Sequence, residues 1–430
     1  MTNKQTYKPG TIAVHGGYDV DPTTKSVNVP LYQTAAYHYD STDHAARLFE
    51  LNEFGNIYSR LQNPTCEVFE RRVALLEGGA AALSFSSGMA AITGIVQNLC
   101  KSGDNIVTSS SLYGGTATLF AHTIKKWGMN AKFVDASNPK NFADAIDKDT
   151  KIVYIETIGN PKNDVLEYEK IADIAHKAGV VVVCDNTVAS PILFNPIKYG
   201  ADIVVHSCTK MIDGHGSSIG GIVVDSGRFD WASGRYACLT EPDESYHGMK
   251  FYEKFGKIAF IVKLRVQVLR DTGACLSPFN AFMFLHGITT LHLRAIRHSE
   301  NALALARFLE AHEAVSWVNY PGLQSHPSYA LAMKYLPKGQ GGILGFGIKG
   351  GRQAGAKFIN SVKLACHVTN LLDSRTMVVH PATTTHQQLT DVEQIAAGVT
   401  PDFIRVSVGI EDIDDLKADF AQALEISQKG

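Results

Sequence analysis

The chain has 430 residues, of which 45% are hydrophobic and 19% charged, so it is long enough for two or three ordinary globular domains. Its 40 basic and 42 acidic residues give a net charge of −2, which excludes a bulk electrostatic attraction to nucleic acid or to a membrane surface. A polar N-terminus, the lack of a bilayer-length apolar run, and seven scattered cysteines without a C-x-x-C pair favour a cytoplasmic protein without disulfides, zinc or a membrane anchor.

The first 65 residues lack a regular hydrophobic period, and we expect an extended arm that reaches a neighbouring subunit. From residue 66 onward, short apolar runs alternate with helical segments. The predicted strands are Leu83–Ser86, Asn105–Thr108, Lys132–Asp135, Ile152–Glu156, Val180–Cys184, Ile203–His206 and Gly221–Val224. The clearest helix is Leu166–Lys177, with Gly179 as its C-cap. This alternation predicts an α/β fold with a mostly parallel sheet covered by helices on both faces, and such sheets bind ligands at the carboxyl ends of their strands.

Two further regions complete the predicted organisation. Residues Gly227–Phe255 form a polar insertion that carries aromatic residues, and Ala281 to about Glu313 is predicted to form one long helical region. The expected division is therefore an arm (1–65), a large ligand-binding domain (66–285) and a smaller C-terminal domain (286–430).

The segment around Lys210 is the most informative part of the chain. A β-branched run from Asp202 to His206 predicts a buried strand, and Ser207, Thr209 and Lys210 follow it before a glycine-rich loop. A lysine at the end of a buried strand is partly desolvated, which lowers its pKa and frees the amine for Schiff-base chemistry. Because the two hydroxyl groups can bind a phosphate, the pattern indicates pyridoxal phosphate (PLP) on Lys210. The alternative is a solvated lysine in a turn.

A PLP site also needs a carboxylate for the pyridine nitrogen, a phosphate site and an aromatic ring that stacks on the cofactor. Asp185 ends the preceding predicted strand and is the candidate carboxylate, although a loop or N-cap aspartate is the alternative. Ser87 and Gly88 open an alanine-rich helix whose N-terminus suits an anion, although Ser87 could simply cap that helix. Tyr113, just past another strand, is the stacking candidate, and a surface turn tyrosine is the alternative.

An arginine for the substrate carboxylate is the remaining requirement. Arg405 lies in an alternating strand near the C-terminus, where a surface ion pair is the alternative. Tyr58 and Arg60 in the arm supply another hydroxyl and guanidinium suited to phosphate.

Three other patterns receive structural interpretations. The G-x-G-x-x-G match at Gly345–Gly350 lacks a surrounding dinucleotide-binding unit and predicts only a strand and turn. The spacing of His206, Cys208 and His215 matches no zinc pattern. His380 and His386 are interpreted as loop or pocket histidines.

These residues lie in motifs that resemble the Cys/Met-metabolism family of PLP enzymes, which share the aspartate-aminotransferase-like fold (PLP-dependent transferase fold type I). The matching motifs are Tyr58-x-Arg60-x-x-Asn63-Pro64-Thr65, Ser87-Gly88-Met89, Tyr113-Gly-Gly-Thr116, Glu156-Thr-x-x-Asn160-Pro161, Asp185-Asn-Thr187, Ser207-x-Thr209-Lys210 and Arg405-x-Ser407-Val408-Gly409-x-Glu411. They cover nearly the whole chain in order.

The resemblance implies a role for each matching residue. Lys210 would be the Schiff-base lysine and proton shuttle, with Tyr113 stacking on the ring and assisting. The other implied contacts are Asp185 on the ring nitrogen, with Thr187 beside it; Asn160 on the ring oxygen; Gly88, Met89, Ser207 and Thr209 on the phosphate; Tyr58 and Arg60 on the phosphate of a neighbouring subunit, with Tyr58 also near substrate; and Arg405 with Asn370 on the substrate carboxylate. A homotetramer is implied as well.

Within the family the chain most resembles the O-acetylhomoserine sulfhydrylase branch, on the segments that begin at Asp43, Thr240, Asn319 and His380. That branch implies a γ-replacement that makes L-homocysteine from O-acetyl-L-homoserine and a sulfur donor, which could be sulfide or a sulfur-carrier protein. Leu372 departs from the family, because relatives usually carry glycine there. Arg375 and Gly115 stand where the cystathionine-cleaving lyases carry glutamate and the methionine-cleaving lyases cysteine.

Other activities remain open on the sequence alone. They are a cystathionine γ-synthase, a methionine or cystathionine γ-lyase, a class I aldolase without PLP, and a non-catalytic binding protein that keeps the fold. The sequence does not decide between sulfur donors or between acyl groups on the amino-acid substrate.

Overall fold

A large sheet and a small sheet organise the molecule, whose computed structural model describes residues 7–384, 387 and 398–429. The strands are β1 (Ala81–Phe85), β2 (Asn105–Ser109), β3 (Asn130–Val134), β4 (Thr150–Glu156), β5 (Val181–Asp185), β6 (Ile203–Ser207), β7 (Gly221–Asp225), β8 (Val315–Asn319), β9 (Ile343–Ile348), β10 (Cys366–His367), β11 (Met377–Val379) and β12 (Phe403–Ser407). The first seven form one sheet in the order β1-β7-β6-β5-β4-β2-β3, and the last five form the other in the order β10-β11-β12-β9-β8.

The helices surround both sheets. They are α1 (Pro9–His15), α2 (Thr42–Phe49), α3 (Pro64–Glu77), α4 (Gly88–Leu99), α5 (Gly114–Thr118), α6 (Lys140–Ala145), α7 (Tyr168–Lys177), α8 (Ser190–Leu193), α9 (Ala237–Thr240), α10 (Phe251–Phe255), α11 (Ala259–Lys263), α12 (Arg270–Thr272), α13 (Pro278–Thr289), α14 (Leu291–Glu310), α15 (Tyr329–Tyr335), α16 (Gly351–Ser361) and α17 (Ile413–Gln428). No helix in the described ranges is long and apolar enough to cross a membrane.

The large sheet is parallel except at β7, which runs antiparallel to both β1 and β6. Its central strands bury both faces, as their continuous apolar runs predict. In β5, Val181 and Val183 join one hydrophobic core while Val182 and Cys184 join the core on the opposite face. The predicted mostly parallel sheet is confirmed, and the observed strands agree with the seven predicted ones to within two residues at each end.

The predicted long helical region is two helices, because α13 ends at Thr289 and α14 begins at Leu291, with Thr290 between them. Arg294 explains the break. Its Nη2 donates to the carbonyl of Gly287 (2.6 Å), its Nη1 donates to the carbonyl of Met211 (2.8 Å), and its Nε donates to the Thr290 hydroxyl (3.2 Å). The buried guanidinium therefore joins the end of α13 to the loop that follows Lys210, a long-range contact that no local sequence pattern contains.

The predicted helix at Leu166–Lys177 is α7, which begins two residues later, and Gly179 follows it with a left-handed φ of +68°. The segment predicted as an irregular insertion contains the short helices α9 and α10. The Gly345–Gly350 pattern coincides with β9 and its turn. His386 lies outside the described residues.

Candidate active site

The candidate residues meet where the central parallel strands end. Asp185 is the last residue of β5, Ser207 is the last residue of β6, and Glu156 ends β4 opposite Asp185 in the strand pairing. Lys210 follows β6 by three residues. The sheet therefore carries these side chains to one edge, as its parallel topology predicts.

Asp185 is held in one orientation by three hydrogen bonds. Its Oδ1 accepts from the backbone N–H (2.9 Å) and the hydroxyl (2.5 Å) of Thr187, and its Oδ2 accepts from the Tyr154 hydroxyl (3.2 Å). Burial raises the pKa of Asp185, although the Thr187 bonds and the charge of His206 act in the opposite direction. No described ion pair includes Asp185, so a cationic group placed against it would stabilise the carboxylate.

Glu156 is a second buried carboxylate to which the sequence analysis gave no role. Its Oε1 accepts from the backbone N–H of Tyr113 at 2.7 Å, which fixes the turn that presents Tyr113. Burial, and then the charge of Asp185, raise the pKa of Glu156 well above its ordinary value. Its place in the Glu156-Thr-x-x-Asn160 motif at a strand end was the available signal for a role.

The start of α4 and the end of β6 form the candidate phosphate site. Ser87 caps α4 by accepting from the backbone N–H of Ala90 (3.0 Å), so the capping alternative is correct for this side chain. Gly88 lies so close to β6 that a Cβ there would be 2.7 Å from the Cβ of Ser207. Free N–H groups of α4 and the hydroxyl of Ser207 therefore share one small space, which suits a phosphate.

Thr187 and Thr209 fix the backbone around this space. The hydroxyl of Thr187 accepts from the backbone N–H of Ser207 (2.8 Å) while it donates to Asp185. The hydroxyl of Thr209 lies 3.2 Å from the backbone nitrogen of Gly220 and accepts from it. Thr187 thus links the candidate carboxylate to the candidate phosphate site.

Lys210 is partly buried beside two residues from the C-terminal part of the chain. Its Nζ donates to Oδ1 of Asn370 at 2.5 Å. Burial, and then the charge of Arg405, lower the pKa of Lys210 to about 8. This is the direction required of a nucleophilic lysine.

Arg405 lies on β12, and the ion pair considered as its alternative does not occur within the described residues. Its guanidinium makes no hydrogen bond or salt bridge there. Burial lowers the pKa of Arg405, and Tyr113 is near enough to act in the opposite direction. A largely buried guanidinium without a partner would be stabilised by an anionic ligand such as a carboxylate.

Leu372 occupies a left-handed backbone conformation (φ +58°), which a glycine adopts freely and a leucine adopts only with strain. Its side chain is fully buried, and its backbone N–H donates to the Ser407 hydroxyl at 2.6 Å. The residues that follow are joined to the loop after Lys210, because Arg375 donates to both carboxylate oxygens of Asp373 and to the carbonyl of His215. The loop that carries Asn370 is therefore well fixed despite the substitution.

Tyr58, Arg60 and Tyr113 are more exposed to solvent than Asp185 and Lys210. Tyr113 is 50% exposed and is the N-cap residue of α5, and a Cβ on Gly115 would lie 2.6 Å from its ring. Tyr58 is 42% exposed, and the guanidinium of Arg60 lies 5.5 Å from its ring while donating to the carbonyl of Arg270. No contact within the chain joins Tyr58 or Arg60 to Lys210 in the described residues.

Two of the histidines to which the sequence assigns no catalytic role have hydrogen-bond partners within the chain. His206 pairs with the buried Glu77 (2.7 Å), and His380 lies 2.9 Å from both the Thr383 hydroxyl and the Pro401 carbonyl. Among the residues that the structure describes, no cluster of three His, Cys, Asp or Glu could hold a metal ion.

Comparison with known proteins agrees with this geometry. The sequence model of one family, described as Cys/Met metabolism PLP-dependent enzyme, matches residues 10–425. The chain belongs to this family. The PLP-dependent enzyme is 54% identical over 428 residues to an O-acetyl-L-homoserine sulfhydrylase of Leptospira meyeri, covering 97% of each chain. It is 52% identical to a homocysteine synthase of Schizosaccharomyces pombe, covering 97% of this chain and 98% of the relative.

A solved structure shows the same fold. It is a putative O-acetylhomoserine (thiol)-lyase from Campylobacter jejuni with N'-pyridoxyl-lysine-5'-monophosphate, 41% identical, with a TM-score of 0.94 over 97% of this chain and 100% of the other. The PLP-dependent fold type I is therefore confirmed.

The residues present fit PLP. A desolvated amine at Lys210, a carboxylate without an ion-pair partner at Asp185 and the anion site at the start of α4 correspond to the aldehyde, the ring nitrogen and the phosphate. Each group lies at the same strand edge of the sheet.

Proposed function

We propose that this enzyme catalyses a γ-replacement in methionine biosynthesis, in which O-acetyl-L-homoserine and a sulfur nucleophile give L-homocysteine and acetate. The unpartnered guanidinium of Arg405 carries the proposal, since it provides a carboxylate anchor close enough to the amine of Lys210 for its charge to lower the pKa of that amine. The names and near-complete coverage of the relatives support this substrate over others in the family.

Arg405 binds the α-carboxylate of the amino-acid substrate, and Asn370 assists from the loop across Lys210. A guanidinium holds a carboxylate through two parallel hydrogen bonds, which orients the α-carbon as well as binding the substrate. Substrate binding also pairs a buried charge that otherwise lacks a partner, so the affinity gain exceeds that of a surface ion pair.

When bound, PLP supplies an electron sink for negative charge at the α-carbon. Asp185 keeps the ring nitrogen protonated, and Tyr113 stacks on the ring. The amine of Lys210 would remove the α-proton, pass it to the conjugated system of the bound cofactor and, neutral again, remove a β-proton as acetate leaves the γ-carbon, where the sulfur nucleophile then bonds. Lys210 returns the protons and L-homocysteine leaves. The proposed cofactor contacts of the remaining residues are Asn160 on the ring oxygen, and Gly88, Met89, Ser207 and Thr209 on the phosphate, with Thr187 orienting Asp185.

Tyr58 and Arg60 complete the phosphate site of a neighbouring subunit in a homotetramer. Their exposure, and their lack of contact with Lys210 in the described part of the chain, support a role in another copy. Seven free cysteines support a location in a reducing cytoplasm. The sulfur donor is sulfide or an equivalent, including a sulfur-carrier protein.

A product assay of the purified holoenzyme tests the proposal. With O-acetyl-L-homoserine, we expect acetate and homocysteine in equal amounts only when sulfide is added, and none from Lys210→Ala. Release of 2-oxobutanoate without sulfide would assign a γ-lyase instead. Cystathionine formed with L-cysteine, together with inactivity towards sulfide, would assign a cystathionine γ-synthase.

A further inference from the structure

The loop between β4 and α7, which carries Asn160, is held by a segment from the C-terminal part of the chain. Nδ2 of Asn319 donates to the carbonyl of Lys162 (2.9 Å), and Nδ2 of Asn163 donates back to the carbonyl of Asn319 (3.1 Å). A third bond runs from the backbone N–H of Val165 to the hydroxyl of Ser328 (3.2 Å). Residues 319–328 thus contact this loop at three successive points.

His326 fixes the orientation of the Asn319 amide. Its Nδ1 accepts from the backbone N–H of Ser328 (3.0 Å), so the ring proton must be on Nε2, which donates to Oδ1 of Asn319 (2.8 Å). His326 is only 8% exposed, and burial lowers its pKa, although the nearby Lys162 carbonyl acts in the opposite direction. With its oxygen bound to His326, the Asn319 amide turns its N–H groups towards Lys162.

The other side of the same loop contacts the segment that presents Tyr113. Oδ1 of Asp164 accepts from the Ser111 hydroxyl at 2.7 Å. Inside the loop, the backbone N–H of Gly159 donates to the carbonyl of Asp164 (3.1 Å), and Asn163 takes a left-handed conformation (φ +53°) while donating to the carbonyl of Gly159. Asn160 lies in the turn that the two bonds of Gly159 close, and residues 162–165 of the same turn carry both attachments, so the position of Asn160 depends on them.

We propose that Asn319 and His326 are positioning residues that hold the loop of Asn160, and through it the Tyr113 segment, in the conformation that receives the cofactor. The proposal rests on the contact of Asn160 with the ring oxygen included in the proposed function. Tyr320 and Leu323 are buried in the core of the small sheet and hold the 319–328 segment in place. We therefore expect the segment to stay folded when the hydrogen bond of the Asn319 side chain is removed.

Asn319→Asp is the sharpest variant, because it preserves volume and the acceptor for His326 but turns a carboxylate oxygen towards the carbonyl of Lys162. His326→Leu removes both ring bonds, while His326→Gln can keep an acceptor and a donor. Trp317→Phe is the matched control, since Trp317 lies on β8 two residues before Asn319 and its Nε1 donates to Asp402 rather than to the loop.

The measurement is a pH titration of the visible absorption band of each holoenzyme, with hydrogen exchange of the peptide covering residues 157–165. Losing a donor at the ring oxygen makes that oxygen more basic, so the midpoint of the titration should rise by about half a pH unit or more in Asn319→Asp and His326→Leu. Exchange of the loop should become faster. Trp317→Phe and His326→Gln should stay near the parent enzyme.

Asn160→Ala distinguishes the positioning role of Asn319 and His326 from the contact of Asn160 with the ring oxygen. If it shifts the midpoint while Asn319→Asp and His326→Leu behave like Trp317→Phe, the positioning role is wrong and the ring-oxygen contact stands. If Asn160→Ala leaves the band unchanged, the contact itself is wrong. If His326→Leu fails to fold, Asn319→Asp alone decides the outcome.

Discussion

At the scale of single residues, burial sets the chemistry of the site. At a pKa of about 8, roughly a quarter of Lys210 is neutral at pH 7.5, whereas an unperturbed lysine is neutral in about one molecule in a thousand. Arg405 also lowers the pKa of Lys210, because a second positive charge near the amine disfavours its protonated form. In the proposed function the same pair would serve the substrate, because the carboxylate that binds Arg405 would bring the α-carbon to the amine of Lys210.

Asp185→Asn tests the role of the carboxylate. The amide is isosteric and can still accept from Thr187, but it carries no charge to keep a ring nitrogen protonated. We expect the protein to fold and bind cofactor while kcat falls by about 10²-fold or more. An unchanged kcat would refute the assignment. Thr187→Val is the companion variant, and it should lower kcat by less because the charge remains.

Arg405→Lys tests the substrate anchor. The lysine keeps a positive charge but loses the planar fork, so kcat/KM for O-acetyl-L-homoserine should fall about 10- to 100-fold, mainly through KM. The visible band of the cofactor should be unchanged in the absence of substrate. Steady-state kinetics check this, and a normal KM would mean that another group holds the carboxylate.

At the scale of elements, α14 joins the site to the small sheet. His298 on α14 is fully buried, and its Nδ1 lies 2.6 Å from the carbonyl of Val408, just beyond β12. Burial, assisted by the charge of Arg294, lowers the pKa of His298 to about 4. Because Val408 follows Arg405 by three residues, this bond helps to fix the strand that carries the substrate anchor.

This histidine predicts a pH dependence of stability. The unfolded chain, with a histidine pKa near 6.5, binds more protons than the folded protein between pH 6.5 and 4, so the free energy of unfolding should decrease as the pH falls through this window. Between pH 7.5 and 5 the loss should be about 2 kcal/mol. Urea unfolding at fixed protein concentration measures it, and His298→Gln should flatten the dependence. Equal slopes in both proteins would contradict the assignment.

Local patterns predicted the strands and α7 well, because continuous apolar runs and a 3.6-residue period depend on neighbours in sequence. The break at Thr290 escaped prediction since Arg294 creates it through contacts with the loop after Lys210. The conformation of Leu372 escaped for the same reason: its strain is compensated by burial and by the bond to Ser407, about 35 residues away.

At the scale of the whole molecule, the motifs predicted where the candidate site residues lie better than they predicted the hydrogen bonds that hold these residues. Asp185 and Lys210 lie at the ends of neighbouring strands of the large sheet, and Arg405 on β12 is near enough to Lys210 to lower its pKa. The contacts of Tyr154 with Asp185, of Glu156 with Tyr113 and of Asn319 with Lys162 could not be predicted, because they join side chains to distant segments of the chain. The division at residues 65 and 285 stays a prediction, as do the individual site roles.

Subunit complementation tests the proposed exchange of Tyr58 and Arg60 between copies. Lys210→Ala and Arg60→Ala should each be nearly inactive alone. When the two variants are mixed and reassembled, half of the randomly formed subunit pairs contain one copy of each. In such a pair one of the two sites has both Lys210 and Arg60, so about a quarter of the parent activity should return. Activity that stays at the level of the separate variants would place Arg60 in the site of its own chain or outside any site.

Borohydride reduction of the purified holoenzyme, followed by peptide mass spectrometry, tests the central claim most directly. Reduction fixes PLP covalently to the lysine that holds it, so the account predicts one pyridoxyl-phosphate adduct, on the peptide that contains Lys210, and its loss when O-acetyl-L-homoserine occupies the site before reduction. An adduct on another lysine, or an unmodified Lys210 peptide in an active preparation, would contradict the account.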